Sequence, residues 1–276
     1  MTERQDLQPS EPAMKTAILP RRLAALPALL TLVALASLAC SGISFLAPTA
    51  TPTPTETPTP TATFTLTATP TVTQTFTPSI TPTVSYIDWP VVFSDSFDED
   101  YGGWYTGVSK DEYDSANITI SNGQYQLRIT AIRPFIWLLP SPAGGFSDCF
   151  VSMDGEQSSG SRDIDFGIYF RASGGNYYYF AVSPAYQAYS ILAYMNGELE
   201  TVVEWRKSDT IHTAGANRLG VLAQEGQFAV FINDTKVDTF RNNSLKKGRV
   251  GIVIGMDKAG TYMSLAFDNF EVRAPG

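Results

Sequence analysis

The sequence predicts an all-β fold, an antiparallel sandwich or barrel, for the stretch from Asp88 to the end of the chain. Three observations lead there. Apolar and polar residues alternate with the period of two that a half-buried strand requires, as in Phe166-Gly167-Ile168-Tyr169-Phe170-Arg171. Turn signals separate these runs at short intervals, namely Ser121-Asn122-Gly123, Gly174-Gly175-Asn176, Asn196-Gly197 and Asn233-Asp234. No stretch of ten residues carries a persuasive helical repeat. Many short strands with turns between them make a sandwich or a barrel.

Two segments precede that domain. Leu23 to Ala39 is uncharged, rich in Leu and Ala, and follows Arg21 and Arg22. A basic flank before a short apolar core is the pattern of a secretory signal, here residues 1–39. Glu3, Asp6 and Glu11 are foreign to such a signal, and Met14-Lys15 would begin a better one. The apolar run falls short of the roughly 20 residues of a spanning helix. Extension through Ser41, Gly42 and Ile43 to Leu46 reaches that length, so an uncleaved N-terminal helix is the alternative. Leu38-Ala39-Cys40, with Ser41 and Gly42 after it, resembles the lipobox of bacterial lipoproteins, although Ser37 stands where an aliphatic residue is usual. The resemblance implies that Cys40 is acylated and becomes the new N-terminus. Several acyl chains or a spanning helix hold a protein durably to a membrane. Either anchor therefore places it on the outer face of a bacterial membrane.

Residues 40–87 follow as a stalk. Thr occupies every odd position from Thr49 to Thr77, and Glu56 is the one charge. A period of two could mean a strand, but Pro52, Pro54, Pro58, Pro60 and Pro70 each lack a ladder donor. With little apolar area to bury, the segment cannot offset its ordering entropy, so a disordered, extended linker is expected. At about 3.1 Å per residue in polyproline II, the Thr- and Pro-rich part from Pro48 to Val84 has a reach of at most on the order of 110 Å. Dense Thr with Pro also suits O-glycosylation.

Residues 88–276 are long enough for one domain with a substantial core. In order, the expected strands are Ile118 to Ile120, Tyr125 to Ile129, Phe166 to Phe170, Tyr177 to Val182, Leu192 to Tyr194, Leu199 to Val203, Phe228 to Ile232, Lys236 to Phe240, Val250 to Ile254 and Met263 to Val272. Phe93-Ser94-Asp95-Ser96-Phe97 followed by Gly103-Trp104, Val230-Phe231-Ile232-Asn233-Asp234 and the closing Ala266-Phe267-Asp268-Asn269-Phe270-Glu271-Val272 are shared motifs. With the Phe166 and Tyr177 runs, they resemble bacterial concanavalin A-like (laminin-G-like) jelly-roll domains over nearly all of residues 91–273. The resemblance implies a two-sheet antiparallel jelly roll. Relatives of that kind include lectin-like modules, enzymes acting on β-glucans and modules without activity, so fold does not settle function.

The chain carries a net charge of −8. The first 87 residues balance, so the whole excess lies in the domain, and an acidic domain without a basic cluster argues against nucleic acid as a partner. His212 is the sole histidine and Cys149 the sole cysteine of the domain, which excludes a His- or Cys-rich zinc site. Cys149, within Cys149-Phe150-Val151, reads as a small buried hydrophobe. Glucanases of the resembled fold carry Glu, Asp and Glu at alternate positions of one strand. The nearest stretch here is Asp163-Ile164-Asp165-Phe166, with two carboxylates and no Glu. Calcium takes oxygen ligands, and the resemblance implies a structural ion where first and last strands meet, which nominates Asp95 and Asp268.

The aromatic residues are the most suggestive surface feature. If Phe166, Ile168 and Phe170 face the core, Tyr169 and Arg171 face outward, and Tyr177 and Tyr179 do so on the next strand. Tyr186, Tyr189, Tyr194 and Trp205 could join them to form a sugar-stacking face. Cross-strand Tyr pairs also stabilise sheets without any ligand. The leading expectation is a tethered, non-catalytic module binding glycan or another cell-envelope polymer through Tyr169, Arg171, Tyr177, Tyr179 and Trp205. The alternatives are a glycoside hydrolase-like enzyme using Asp163 or Asp165, and a structural or protein-interaction domain.

Overall fold

The computed structural model describes residues 13–17, 86–101 and 103–276. Cys40, the apolar run of the expected signal and all but the last two residues of the expected stalk lie outside the described residues. Among the described residues, no helix is long and apolar enough to cross a membrane.

The described residues form sixteen strands: β1 (Met14–Ala17), β2 (Val91–Asp95), β3 (Gly107–Lys110), β4 (Asp114–Ser121), β5 (Gln124–Ala131), β6 (Phe135–Phe146), β7 (Cys149–Gly160), β8 (Ile164–Ser173), β9 (Asn176–Ser183), β10 (Ala188–Met195), β11 (Glu198–Lys207), β12 (Asn217–Gln224), β13 (Gln227–Ile232), β14 (Thr235–Arg241), β15 (Gly248–Met256) and β16 (Tyr262–Arg273). They form two antiparallel sheets. The first runs β1-β6-β15-β8-β9-β10-β11. The second runs β14-β13-β12-β7-β16-β5-β4-β3, with β2 added on β16. This is the expected jelly-roll sandwich.

Four of the turns explain why the hairpins register as they do. Asn122-Gly123, Gly174-Gly175, Asn196-Gly197 and Asn233-Asp234 have positive φ at both residues. That is the primed-turn geometry whose twist matches the flanking strands. Each closes a two-residue loop, as in the pairing of Ser121 with Gln124 and of Met195 with Glu198. The main core follows the alternation. Phe166, Ile168 and Phe170 of β8, and Tyr178, Phe180 and Val182 of β9, meet Phe267 and Leu265 of β16 and Val221 and Val230 of β12 and β13.

Three long strands lack the alternating signal. β6 opens with Phe135-Ile136-Trp137-Leu138-Leu139-Pro140, all buried, because Ile136 and Leu138 serve a second apolar cluster on the sheet's other face. A strand buried on both sides reads as a continuous apolar run. β7 is polar along its second half, and β12 is interrupted by Gly220, whose added Cβ would lie 3.0 Å from the Phe150 ring. β1 was also unforeseen: Met14-Lys15, read as the beginning of a signal, pairs antiparallel with the edge of β6.

Tyr86 and Ile87, assigned to the stalk by sequence, are among the described residues. Tyr86 stacks on Phe150 at 4.4 Å and tilts against Phe231 at 5.5 Å. Arg273 of the last strand donates to the carbonyls of Ile87 and Trp89. The end of the expected stalk is therefore fastened to the outer face of the nine-stranded sheet.

Candidate functional site

The face opposite the main core, on the seven-stranded sheet, carries the tyrosines singled out by sequence. Tyr169, Tyr177 and Tyr179 share it with Ile136, Leu138, Ala181, Leu192 and Val253. The alternation placed them on the correct face. Their exposure is a correction: Tyr177 and Tyr179 are 0% exposed and Tyr169 2%. They pack as a second apolar cluster, with Tyr177 stacked on Tyr194 at 5.2 Å, and their rings offer no open platform for a sugar. Gly251 makes room for this layer, since a Cβ there would lie 2.7 Å from the Tyr169 ring.

Arg171 does not accompany Tyr169. The β8–β9 register slips between Phe170 and Ser173, and Arg171 takes a positive φ of 55°. A bulge turns the side chain away from the tyrosine face. Its guanidinium donates to the carbonyls of Leu245 and Lys246, lies 3.5 Å from Asp148 and sits over the Phe228 ring. At 2% exposure it is a structural brace and not a ligand contact.

Trp205 keeps its candidacy, through an irregularity that sequence reasoning had no signal for. The β10–β11 register shifts between Tyr189 and Ile191 and again between Ile191 and Leu192. Val202 and Val203 consequently both reach the main core, and Trp205 returns to the opposite face. There it walls a cavity of about 140 Å³ lined by Asp163, Ile164, Asp165, Ser183, Tyr186, Ala188, Trp205, Lys207 and Asp257. The strand pattern builds this pocket at one end of the sheet. Asp165 is on β8, two positions before Gly167 and on the same face as Tyr169. Gly255 lies opposite it on β15, where a Cβ would approach its carboxylate to 2.5 Å.

Tyr186 sits in a short turn, Pro184–Tyr186, between β9 and β10. Its hydroxyl donates to Asp163 at 2.6 Å, the Arg162 guanidinium lies over its ring at 5.2 Å, and Lys207 donates to its carbonyl. Asp163 also accepts from Lys258 at 2.5 Å. These hydrogen bonds, first from Lys258 and then from Tyr186, hold the Asp163 carboxyl below the usual range against the opposing effect of burial. A depressed carboxylate contributes its interactions above its unfolded pKa and loses them as pH falls through the folded one. The Asp163 carboxyl carbon, followed by NMR, is expected to titrate with a midpoint below about 3.9, the ordinary Asp value. A midpoint above that value would show the Lys258 and Tyr186 contacts to be absent in solution. A carboxylate held ionised in this way is ill suited to act as a general acid near neutral pH.

Other sequence candidates sit elsewhere. Asp95 accepts from the Phe97 amide at 2.8 Å and the Trp104 indole at 2.9 Å. Asp268 accepts from the Asn269 amide at 2.6 Å, and burial followed by the nearby Asp154, Asp98 and Asp95 raises its carboxyl. Among the described residues, no group of three or more His, Cys, Asp or Glu is arranged to hold a metal ion. His212 is exposed with Nδ1 at 3.1 Å from the Ala216 carbonyl, while the Ser208 hydroxyl pairs with Thr210. Those two residues do not form a nucleophile–base pair. Burial pushes the Cys149 thiol up to about 12 although Arg171 opposes it, consistent with an inert packing residue.

No sequence-family model matches the chain, and no curated protein does. Solved structures do. The laminarinase catalytic domain from Thermotoga maritima is 9% identical, with 68% of this chain covering 99% of that one at a TM-score of 0.51. The β-glucanase from Bacillus licheniformis is 8% identical, with 66% of this chain covering 97% of that one at 0.50. The fold is a concanavalin A-like β-sandwich. A carbohydrate-binding module from Bacillus subtilis is 15% identical over 67% of this chain and 95% of its own, with a TM-score of 0.44. The likeness to the laminarinase and the β-glucanase carries the fold and nothing finer.

Proposed function

We propose that this protein is a membrane-tethered, extracytoplasmic binding module that recognises carbohydrate through the pocket of Trp205, Tyr186, Asp163 and Asp165. The observation that carries the reading is the composition of that cavity: two aromatic side chains, three carboxylates, the Ser183 hydroxyl and Lys207, gathered at one end of the sheet. Ring faces pack against the apolar C–H faces of a sugar, and the polar groups accept from or donate to its hydroxyls, the usual division of labour in a small-molecule site. The solved neighbours of similar fold include a laminarinase and a β-glucanase, which supports a carbohydrate ligand without deciding between binding and cleavage. Binding is favoured because the Asp163 carboxylate is already held by Lys258 and Tyr186, whereas hydrolysis needs two carboxyls that meet the substrate, one as acid and the other as nucleophile or base.

The full chain is expected to bind at least one member of a panel of soluble and insoluble polysaccharides, cell wall included, saturably and without releasing reducing sugar. The assay is run with calcium and with chelator, which reads out any ion held near Asp95 and Asp268. Sugar release abolished by Asp165→Asn would replace the binding reading with an enzymatic one. No affinity for any glycan would remove both.

Tethering belongs to the same proposal and rests on the Leu38-Ala39-Cys40 motif. In a bacterial host, metabolic labelling with a fatty-acid analogue is expected to mark the protein, and Cys40→Ser to eliminate the label. A label that survives Cys40→Ser, or a wild-type protein without one, would sink the lipid anchor.

A further inference from the structure

Lys15 stands opposite Trp137 in the ladder between β1 and β6. Its side chain turns toward the main core and is 11% exposed. The ammonium lies 4.1 Å from the centroid of the Trp137 ring, 2.8 Å from both Ser109 Oγ and Asp111 Oδ2, and 2.7 Å from Asp114 Oδ2. Trp137 and Asp114 are both 0% exposed. Trp137 comes from the seven-stranded sheet, and the three oxygen partners come from β3, β4 and the turn joining them in the other sheet. The cage therefore spans the mouth of the sandwich, where the two sheet edges face each other.

The physical chemistry of this cage is that of a receptor for a primary ammonium. An aromatic face attracts a cation more strongly when water is excluded, and charge-assisted hydrogen bonds to carboxylates are among the strongest available. A carboxylate as deeply buried as Asp114 is costly unless a cation meets it. Burial raises its carboxyl, and Lys15 is the group that opposes this most. The backbone supplies the second half of the recognition. Met14, Lys15, Thr16 and Ala17 pair with Leu138, Trp137, Ile136 and Phe135, so an added strand fixes the register and the cage reads the side chain opposite Trp137.

The occupying strand lies within the segment that the sequence marks for removal, or for the far side of a membrane. A chain beginning at Cys40 has no Lys15, and its β6 edge carries unpaired backbone groups beside a buried carboxylate. We propose that the edge of β6, with Trp137, Ser109, Asp111 and Asp114, is a peptide-recognition site for an extended, lysine-bearing segment of a partner protein. Met14–Ala17 fills that site in the full chain. The site is at the opposite edge of the sheet from the Trp205 pocket, so it neither requires nor excludes a carbohydrate ligand there.

The test uses the full chain in detergent, carrying Lys15→Glu and Thr16→Pro. The first change puts a negative charge in the cage and the second interrupts pairing, so the chain's own strand is released. Binding of a labelled peptide, Ala-Met-Lys-Thr-Ala-Ile, is followed by fluorescence anisotropy. Saturable binding is expected. It should weaken at least tenfold when norleucine replaces the peptide's lysine, and at least tenfold when Asp114→Asn is added to the protein. No binding to a released chain that is folded by circular dichroism, or equal binding of the norleucine peptide, overturns the proposal. Should the released chain not fold, hydrogen exchange on the wild-type chain decides. Excess peptide is expected to speed exchange at Met14–Ala17 while β6 stays protected, and unchanged exchange there overturns the proposal.

Discussion

Arg171→Ala is expected to destabilise the domain by about 3–5 kcal/mol, because a buried guanidinium loses two hydrogen bonds to carbonyls, each worth roughly 1.5–3 kcal/mol when one partner is charged. The side chain is buried, and its removal leaves three groups without their donor: the carbonyls of Leu245 and Lys246 and the Asp148 carboxylate. Asp148 keeps the Glu225 amide at 2.8 Å, which moderates its loss. Contact with the Phe228 ring is lost as well. For a domain of this size each kcal/mol moves Tm by roughly 2–4 °C, so thermal unfolding should occur roughly 6 to 20 °C lower. Arg171→Lys keeps the charge but not the planar fork, and should fall between wild type and Ala. The affinity of the folded fraction for glycan should not change. A variant as stable as wild type but deficient in binding would return Arg171 to the ligand.

That prediction reverses the expectation read from alternation, and the reason is local. Period-two counting assumes an unbroken strand, and the bulge at Arg171, with its φ of 55°, breaks it one residue after the pattern ends. The same counting succeeded wherever the ladder is regular, as at Tyr177 to Val182, where alternate residues fall into the two clusters on opposite faces. What alternation does not contain is the environment of each face. Tyr177 and Tyr179 were placed on the non-core side, yet they are buried there among Ile136, Leu138 and Leu192, and the first two of these come from β6, a strand without an alternating signal. Legibility therefore tracked the turns. The Asn-Gly, Gly-Gly and Asn-Asp loops fixed the hairpins because few other sequences accept two successive positive φ values. β6, β7 and β12 have no comparable mark.

The pocket was half legible. Asp163 and Asp165 drew notice by their spacing, and Trp205 as one of the aromatic residues that could extend the tyrosine face. Nothing in the sequence joins them, because β8 and β11 are brought to one end of the sheet by the order β8-β9-β10-β11, and Trp205 reaches the right face only through two register slips. Asp257 and Tyr186 enter from segments just outside the strands. Lys15 was the least legible of all. Within a basic, apolar leader its charge looks like part of an export signal, whereas its partners Asp111 and Asp114 lie almost a hundred residues away.

Trp205→Ala is expected to weaken glycan binding at least about 30-fold, equivalent to a hot-spot loss of about 2 kcal/mol. The argument rests on what else lines the cavity. The Arg162 guanidinium and the Lys207 ammonium already lie over the Tyr186 ring, at 5.2 Å and 5.9 Å, and the carboxylates supply polar contacts, so stacking on a ligand falls to Trp205 in this proposal. Trp205→Tyr keeps a smaller ring and should retain part of the affinity. Because Trp205 also packs partly against the second apolar cluster, each variant is compared at equal folded fraction by circular dichroism. Tyr177→Ala supplies the contrast. Its fully buried ring should cost roughly 3–5 kcal/mol of stability, as large-to-small core changes do, with affinity preserved in whatever remains folded. The opposite pattern, binding lost with Tyr177→Ala at full stability and untouched by Trp205→Ala, would move the site from the end of the sheet to its centre. It would also mean that the tyrosine face opens in solution. The two substitutions thus separate a pocket built by irregular register from a platform built by regular alternation.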